Sequence, residues 1–366
     1  MQETKIVVVD VLDPALKATY GATMRMEETK AIRGEQRGKW RIRREGEAQT
    51  PVTRVADMRP VEETLTTQNL FGQPRRGSVY ETKGLEKKTR VAWIRDDALI
   101  GGAEISGDTV ARVGTDCGFD VNLITPKFSA TEIAEHVRLA RVLVLNNVWQ
   151  FDRNQMAVIL AAIYADQKPY VKYEHDHREI GRPDFSTKLF ARSALNVFLS
   201  PVHLENHRRA LGCEGVALPL AIDVSKYAPV RGVDRRPNSA IVCNVRNFKT
   251  WTALQAYVTA HPETSFTVLA KDPVVHGDNV ATRRMVAPND MPALYSEHEY
   301  LVHLLDGWGA GERVVFEAAL CGCKVVANDR VGHTSWNFDL TDRAALAEKL
   351  EQAPYDFWKG VSEAIK

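Results

Sequence analysis

Four stretches of the chain combine residue types that can do chemistry. The first is GWGAGERVVFEAALCGCKVVAND, residues 307–329, where Gly307, Gly309 and Gly311 precede a helical pattern and Glu317 interrupts its mostly apolar face. Backbone N–H groups at a helix start are unpaired and carry partial positive charge, so they suit a phosphate or a sugar hydroxyl. Glycine lets such a ligand approach the main chain closely. A carboxylate a turn and a half into the helix can accept two hydrogen bonds from a ribose diol. The plain alternative is a strand–turn–helix connection with a solvated glutamate. The second stretch, CNVRNFKTW (243–251), places Arg246 and Lys249 where a strand gives way to a helix. Two cations there would neutralise a diphosphate, and cations near a helix start are disfavoured unless an anion is present. The third, GGAE (101–104), offers Gly101 and Gly102 for a tight turn and close ligand approach, without the full dinucleotide fingerprint. The fourth, KYEHDHRE (172–179), ends a strand with His175, Asp176 and His177. These could serve as base, hydrogen-bond donor or transition-state contact, with a metal site or a solvated loop as rivals.

These stretches fall inside a regular alternation. From about residue 89, strand-like runs (RVAWIR, DVNLIT, VLVLNN, PYVKYEHD, NVFLS, GVALPLAID) alternate with helical ones. Several strands are apolar throughout, the mark of a parallel sheet covered by helices on both faces. A polar, prolyl and basic break at 224–239 precedes a second alternation (AIVCNV, SFTVLA, VATRRMVA, YLVHLL, KVVAN). The reading is therefore α/β, with two Rossmann-like domains facing a cleft and an N-terminal extension. The expected boundaries are 1–88 for the extension, 89–229 and 230–340 for the two domains, and 341–366 for trailing helices that cross back. The tail is read as two helices, the first capped by Thr341 or Asp342. Open sheets of this kind bind ligands at the carboxyl ends of their strands.

The bulk properties exclude other classes. The 366 residues are 44% hydrophobic and 26% charged, the balance of a globular protein. Lys plus Arg is 48 against 47 for Asp plus Glu, so no global charge favours nucleic acid or membrane. No apolar run is long enough to span a bilayer, and the start does not read as a signal peptide. Five cysteines fit a reducing, cytoplasmic setting better than a disulfide framework. The first 88 residues hold one clear strand-like run at 6–11 and a possible edge strand in KWRIRR, and otherwise read as polar linker.

Taken in order, GGAE, PLAID (219–223), the Arg-x-x-Lys of Arg246 and Lys249, and GERVVFEAALCGCKVVAN (311–328) resemble the motifs of GT-B glycosyltransferases, specifically the family-4 retaining enzymes. The resemblance spans about 90–366. It implies a nucleotide-sugar-dependent glycosyltransferase, with a UDP-sugar favoured as co-substrate. Arg246 and Lys249 would hold the diphosphate, Glu317 the ribose, and Gly101 and Gly102 would line the cleft near phosphates or acceptor. A histidine of 175–177 would sit at the sugar. Such enzymes work with side chains, so no metal or further cofactor is expected. The chain departs from the pattern at one place. The family carries two glutamates eight positions apart, and here the earlier position is Gly309. Asp306 or Glu312 would compensate, or the backbone of 309–311 would hold the sugar.

Two other readings stand beside this one: a nucleotide-sugar epimerase, and a catalytically weak module that only binds the nucleotide-sugar. The acceptor is a glycan or a hydroxymethylated base in DNA. The second option comes from residues 25–44, where eight Lys or Arg surround Trp40, a pattern that can track a nucleic-acid backbone. The same segment could instead pack on the first domain or mediate self-association.

Overall fold

The computed structural model describes the backbone of 6–11, 23–27 and 40–42, and then residues 88–97, 102–181, 183–243, 251–270 and 275–366. The chain divides into two compact units, Met1–Leu85 and Glu86–Lys366. In the first unit, β1 (Ile6–Val11) is the centre of a three-stranded antiparallel sheet, flanked by β2 (Thr23–Glu27) and β3 (Trp40–Ile42). The strand at 6–11 and the edge strand within KWRIRR are thus present. β2 is an addition, because TMRME is too short and too polar to stand out by period alone.

The second unit contains two parallel sheets. The first lobe runs β4 (Thr89–Ile94), α1 (Gly102–Asp116), β5 (Phe119–Ile124), α2 (Ala130–Leu139), β6 (Val142–Leu145), α3 (Arg153–Tyr164), β7 (Tyr170–Tyr173), α4 (Pro183–Arg192), β8 (Leu195–Phe198), α5 (Pro201–Leu211) and β9 (Val216–Ala217). Its strand order is β5-β4-β6-β7-β8-β9. β6 is buried along its whole length, which is why VLVL shows no alternation. Local chemistry sets the helix starts. Ser129 with Glu132, and Asp152 with Gln155, form capping boxes on α2 and α3, and Ser200 caps α5 ahead of Pro201.

The second lobe runs β10 (Arg236–Val242), α6 (Trp251–Ala260), β11 (Ser265–Leu269), β12 (Val280–Arg283), α7 (Met291–Glu297), β13 (His298–His303), α8 (Arg313–Leu320) and β14 (Lys324–Ala327). Its order is β12-β11-β10-β13-β14, also parallel. One buried apolar cluster joins the lobes, from Trp93 and Val144 of the first sheet through Leu199 to Phe316 of α8.

The tail differs from the two helices expected of it. It is one helix, α9 (Arg343–Ala364), capped by Asp342 and continuous through Pro354. Proline removes a backbone donor and normally breaks a helix. Here Leu346, Leu350, Ala353, Pro354, Phe357, Trp358 and Val361 form one unbroken buried stripe across it. Burial of that stripe outweighs the local penalty. The helix packs on α1 of the first lobe, where Trp358 Nε1 donates to the Val110 carbonyl at 2.7 Å.

Candidate active site

The carboxyl ends of the two sheets enclose a cavity of about 530 Å³. The first lobe lines it with Gly102 and the loop that leaves β7. The second lines it with the β13 end, the glycine-rich loop and the start of α8. This is the position at which open parallel sheets bind ligands.

On the second-lobe side, α8 opens with Arg313, a cation at a helix end that disfavours one. Glu317, one turn on, compensates: Arg313 Nε donates to its Oε1 at 2.8 Å, and Tyr295 donates its hydroxyl to Oε2 at 3.3 Å. Both charged side chains are only 8% exposed. Arg313 also reaches into the first lobe, where Nη1 donates to Ser106 Oγ at 2.7 Å and to the Ala221 carbonyl at 3.1 Å. Its aliphatic stem lies over Gly102, so that glycine makes room for the guanidinium as well as lining the cavity.

The glycine-rich loop has more than one purpose. An ideal Cβ at Gly311 would lie 2.7 Å from Leu199 Cβ, so glycine there lets the loop pack on the first lobe. Ser200 Oγ donates to the Ala310 carbonyl at 2.6 Å and ties the same loop across the cleft. The Gly309 N–H donates to the Arg330 carbonyl at 2.9 Å, so that amide is already occupied by the chain itself. The Glu312 carboxylate folds back into the space a side chain at Gly309 would take, and Oε2 accepts from the Gly332 N–H at 3.1 Å. A carboxylate therefore lines the cavity beside Gly309, although it belongs to Glu312. Asp306 lies apart from this group. It accepts from the N–H groups of Thr252 and Ala253 at 3.0 and 2.9 Å, so it caps α6.

On the first-lobe side, His175 faces the cavity, 7% exposed, with neither ring nitrogen hydrogen-bonded to the chain. Burial, with Lys172 and Arg313 adding to it, pushes its pKa down to about 3. It is a neutral imidazole at ordinary pH, suited to donating a hydrogen bond and too weak a base to take a proton. Asp176 is paired with Arg178 at 3.0 Å, and its carbonyl contacts His203 Nε2 at 3.0 Å. His177 Nε2 meets the Asn206 side-chain amide at 3.2 Å.

His177 also groups with His203 and His207, their ring nitrogens within 4.8 Å of one another. The tautomers argue against a metal there. The Leu199 N–H donates to His203 Nδ1 at 3.2 Å, so the ring proton sits on Nε2 and is given to the Asp176 carbonyl. That leaves His203 without a lone pair for an ion, and the imidazole orients the loop instead.

No protein-family model matches the chain, and no curated protein gives a significant match to it. Solved structures do match. HepE of Anabaena, in complex with UDP and glucose, aligns with TM-score 0.54 at 13% identity, over 75% of this chain and 96% of that one. Sucrose-phosphate synthase from Thermosynechococcus elongatus aligns with TM-score 0.52 at 12% identity, covering 76% and 94%. A glycosyltransferase from Rickettsia africae aligns with TM-score 0.51 at 11% identity, covering 77% and 95%. The fold is GT-B.

Within this GT-B frame, His175, Asp176, His177, Gly102, Gly309, Gly311, Glu312 and Glu317 share one cavity, and Asp306 does not. Gly101, Arg246 and Lys249 lie outside the described residues. Arg313 does not stand out from sequence alone; its signal is a cation at a helix start with a glutamate four residues on. Nor do His303, 2% exposed at the end of β13, and His333, 3% exposed and stacked on Phe316. Burial lowers their pKa values to about 4 and about 3. The hint in the sequence is one polar residue closing the apolar strand YLVH. Among the described residues no helix is long and apolar enough to cross a membrane.

Proposed function

We propose that the chain is a glycosyltransferase that moves a sugar from a nucleotide-sugar, a UDP-sugar in preference, to an acceptor hydroxyl. The observation that carries this is the shared cavity. A buried carboxylate, a guanidinium that bridges the lobes and a cavity-facing neutral imidazole converge between two parallel sheets of a GT-B fold. HepE, of the same fold, binds UDP and glucose, which supports the donor class.

In this reading Glu317 accepts from the ribose hydroxyls with the lone pairs left by Arg313 and Tyr295. Glu312 takes the place of the glutamate missing at Gly309 and faces the sugar. His175 donates a hydrogen bond to a sugar hydroxyl. Arg246 and Lys249 are expected to meet the diphosphate charge. The bond from the anomeric carbon to the diphosphate oxygen breaks, and its electron pair leaves with the nucleotide. The acceptor oxygen bonds to the same carbon from the face that the diphosphate leaves, and its proton passes to the departing phosphate; attack on that face gives a retaining outcome. The site acts by orientation and by fixed charge. A second hollow, about 470 Å³ and sharing His177 and Trp308 with the cavity, gives an acceptor room to enter.

Thermal-shift titration with UDP-, GDP- and ADP-glucose tests the donor. The UDP-sugar at a hundred times its Kd should add about 2.7 kcal/mol, a rise of a few degrees. Glu317→Gln should abolish that rise. Full donor affinity in the variant would overturn the site assignment. Product analysis with glycan and hydroxymethylated-DNA acceptors then distinguishes transfer from donor hydrolysis.

A further inference from the structure

Beneath the histidine loop lies an ion pair that the proposed chemistry does not use. Lys172 and Glu174 alternate with Tyr173 on β7 and its exit, so both point to the same side of the strand. Both side chains are 1% exposed, and Lys172 Nζ lies 2.6 Å from Glu174 Oε2. Lys172 also donates to the Asn146 carbonyl at 3.4 Å, at the end of the neighbouring β6. The other carboxylate oxygen does separate work. Glu174 Oε1 accepts from the N–H groups of His175 and Asp176, each at 3.2 Å.

A pair this deeply buried is poor evidence of stabilisation. Desolvation of two ions offsets their attraction, and an apolar pair of similar volume is commonly as stable or more so. An apolar pair would not accept two main-chain N–H groups where the chain leaves the strand. Those two amides belong to the residue that faces the cavity and to the residue whose carbonyl accepts from His203. The carboxylate under the loop therefore holds the amides on both sides of the His175 Cα, and Lys172 lies against that carboxylate.

We infer that Glu174, held by Lys172, is a positioning residue that fixes the backbone of the His175–Asp176 turn and so aims the His175 imidazole into the cavity. Its effect on turnover rests on the proposed transferase activity, while its effect on the turn does not.

The test compares two double variants that both remove the buried charges. Lys172→Met with Glu174→Gln keeps an oxygen under the loop. Lys172→Met with Glu174→Leu does not. Hydrogen–deuterium exchange of the His175 and Asp176 amides needs no substrate. Exchange should stay slow in the Gln variant and rise about tenfold or more in the Leu variant, at matched thermal stability. With a UDP-sugar, the Leu variant should lose about a hundredfold in kcat at little change in donor KM, and the Gln variant should recover most of it. Equal exchange and equal kcat in the two variants would overturn the inference and leave the pair as packing alone. Slow exchange in the Gln variant beside a wild-type protein that turns over no nucleotide-sugar would sink the transferase reading and leave the positioning role standing.

Discussion

The two strand ends that face each other across the cavity handle charge in opposite ways. The β7 end settles its charges within its own lobe: Lys172 with Glu174, and Asp176 with Arg178. The second-lobe end does not. Arg313 pairs with Glu317 beside it but spends its remaining hydrogen bonds on Ser106 and Ala221 of the other lobe, while the Ala310 carbonyl accepts from Ser200. One half of the site is organised by a single sheet. The other is complete only when the lobes are together, so its geometry reports on their apposition.

The largest expected effect tests whether the neutral histidines on both sides act alike. Burial holds His175 and His333 down to about 3 and His303 to about 4, against about 6.5 in an unfolded chain. The unfolded state thus binds protons below 6.5 that the folded state refuses. The contribution of these imidazoles to stability should be complete above about pH 6.5 and be lost as pH drops towards the folded values, by on the order of 2 kcal/mol per imidazole near pH 5. Denaturant titrations across that range measure the slope. His333→Phe should remove about one proton from it, and an unaltered slope would contradict burial of this imidazole as the cause.

Next in size is the bridge. Arg313→Met leaves the Glu317 carboxylate buried without its cationic partner and should cost about 3 to 5 kcal/mol, read as a lowered unfolding midpoint. Combining it with Glu317→Leu should restore most of that loss. If the single variant proves as stable as wild type, the contrast between the self-contained and the bridging halves fails.

The smallest effect sharpens the contrast at the loop. Gly311→Ala drives a methyl against Leu199 and should cost about 1 to 3 kcal/mol. Gly181→Ala has open space around it and should change stability by less than about 0.5 kcal/mol. Equal costs would mean that the loop does not seat on the first lobe.

Much of the fold is legible in the chain. The alternation of apolar runs and capped helical stretches locates both parallel sheets, because strands buried on two faces leave uninterrupted apolar segments such as VLVL. The loop at β7 and the glycine-rich turn are also readable, since charge and glycine at strand ends follow from the sheet's topology. Other features are hidden. The tail reads as two helices rather than one, because a proline's penalty is local while the stripe that overrides it contacts α1 more than two hundred residues away. Asp306 reads as part of the site, and only three-dimensional proximity assigns it to the cap of α6.

Composition and spacing by themselves located most of the strands and helices of the second unit and the residue types that stand at the strand ends, because periodicity and capping act over a few residues. Tertiary structure alone decided which of those residues meet. The Arg313–Ser106 contact joins positions 207 apart, and Ser200–Ala310 positions 110 apart. No local pattern encodes such distances; they follow from burying one continuous apolar core between two sheets, and that burial decides which polar groups lose water and must find each other.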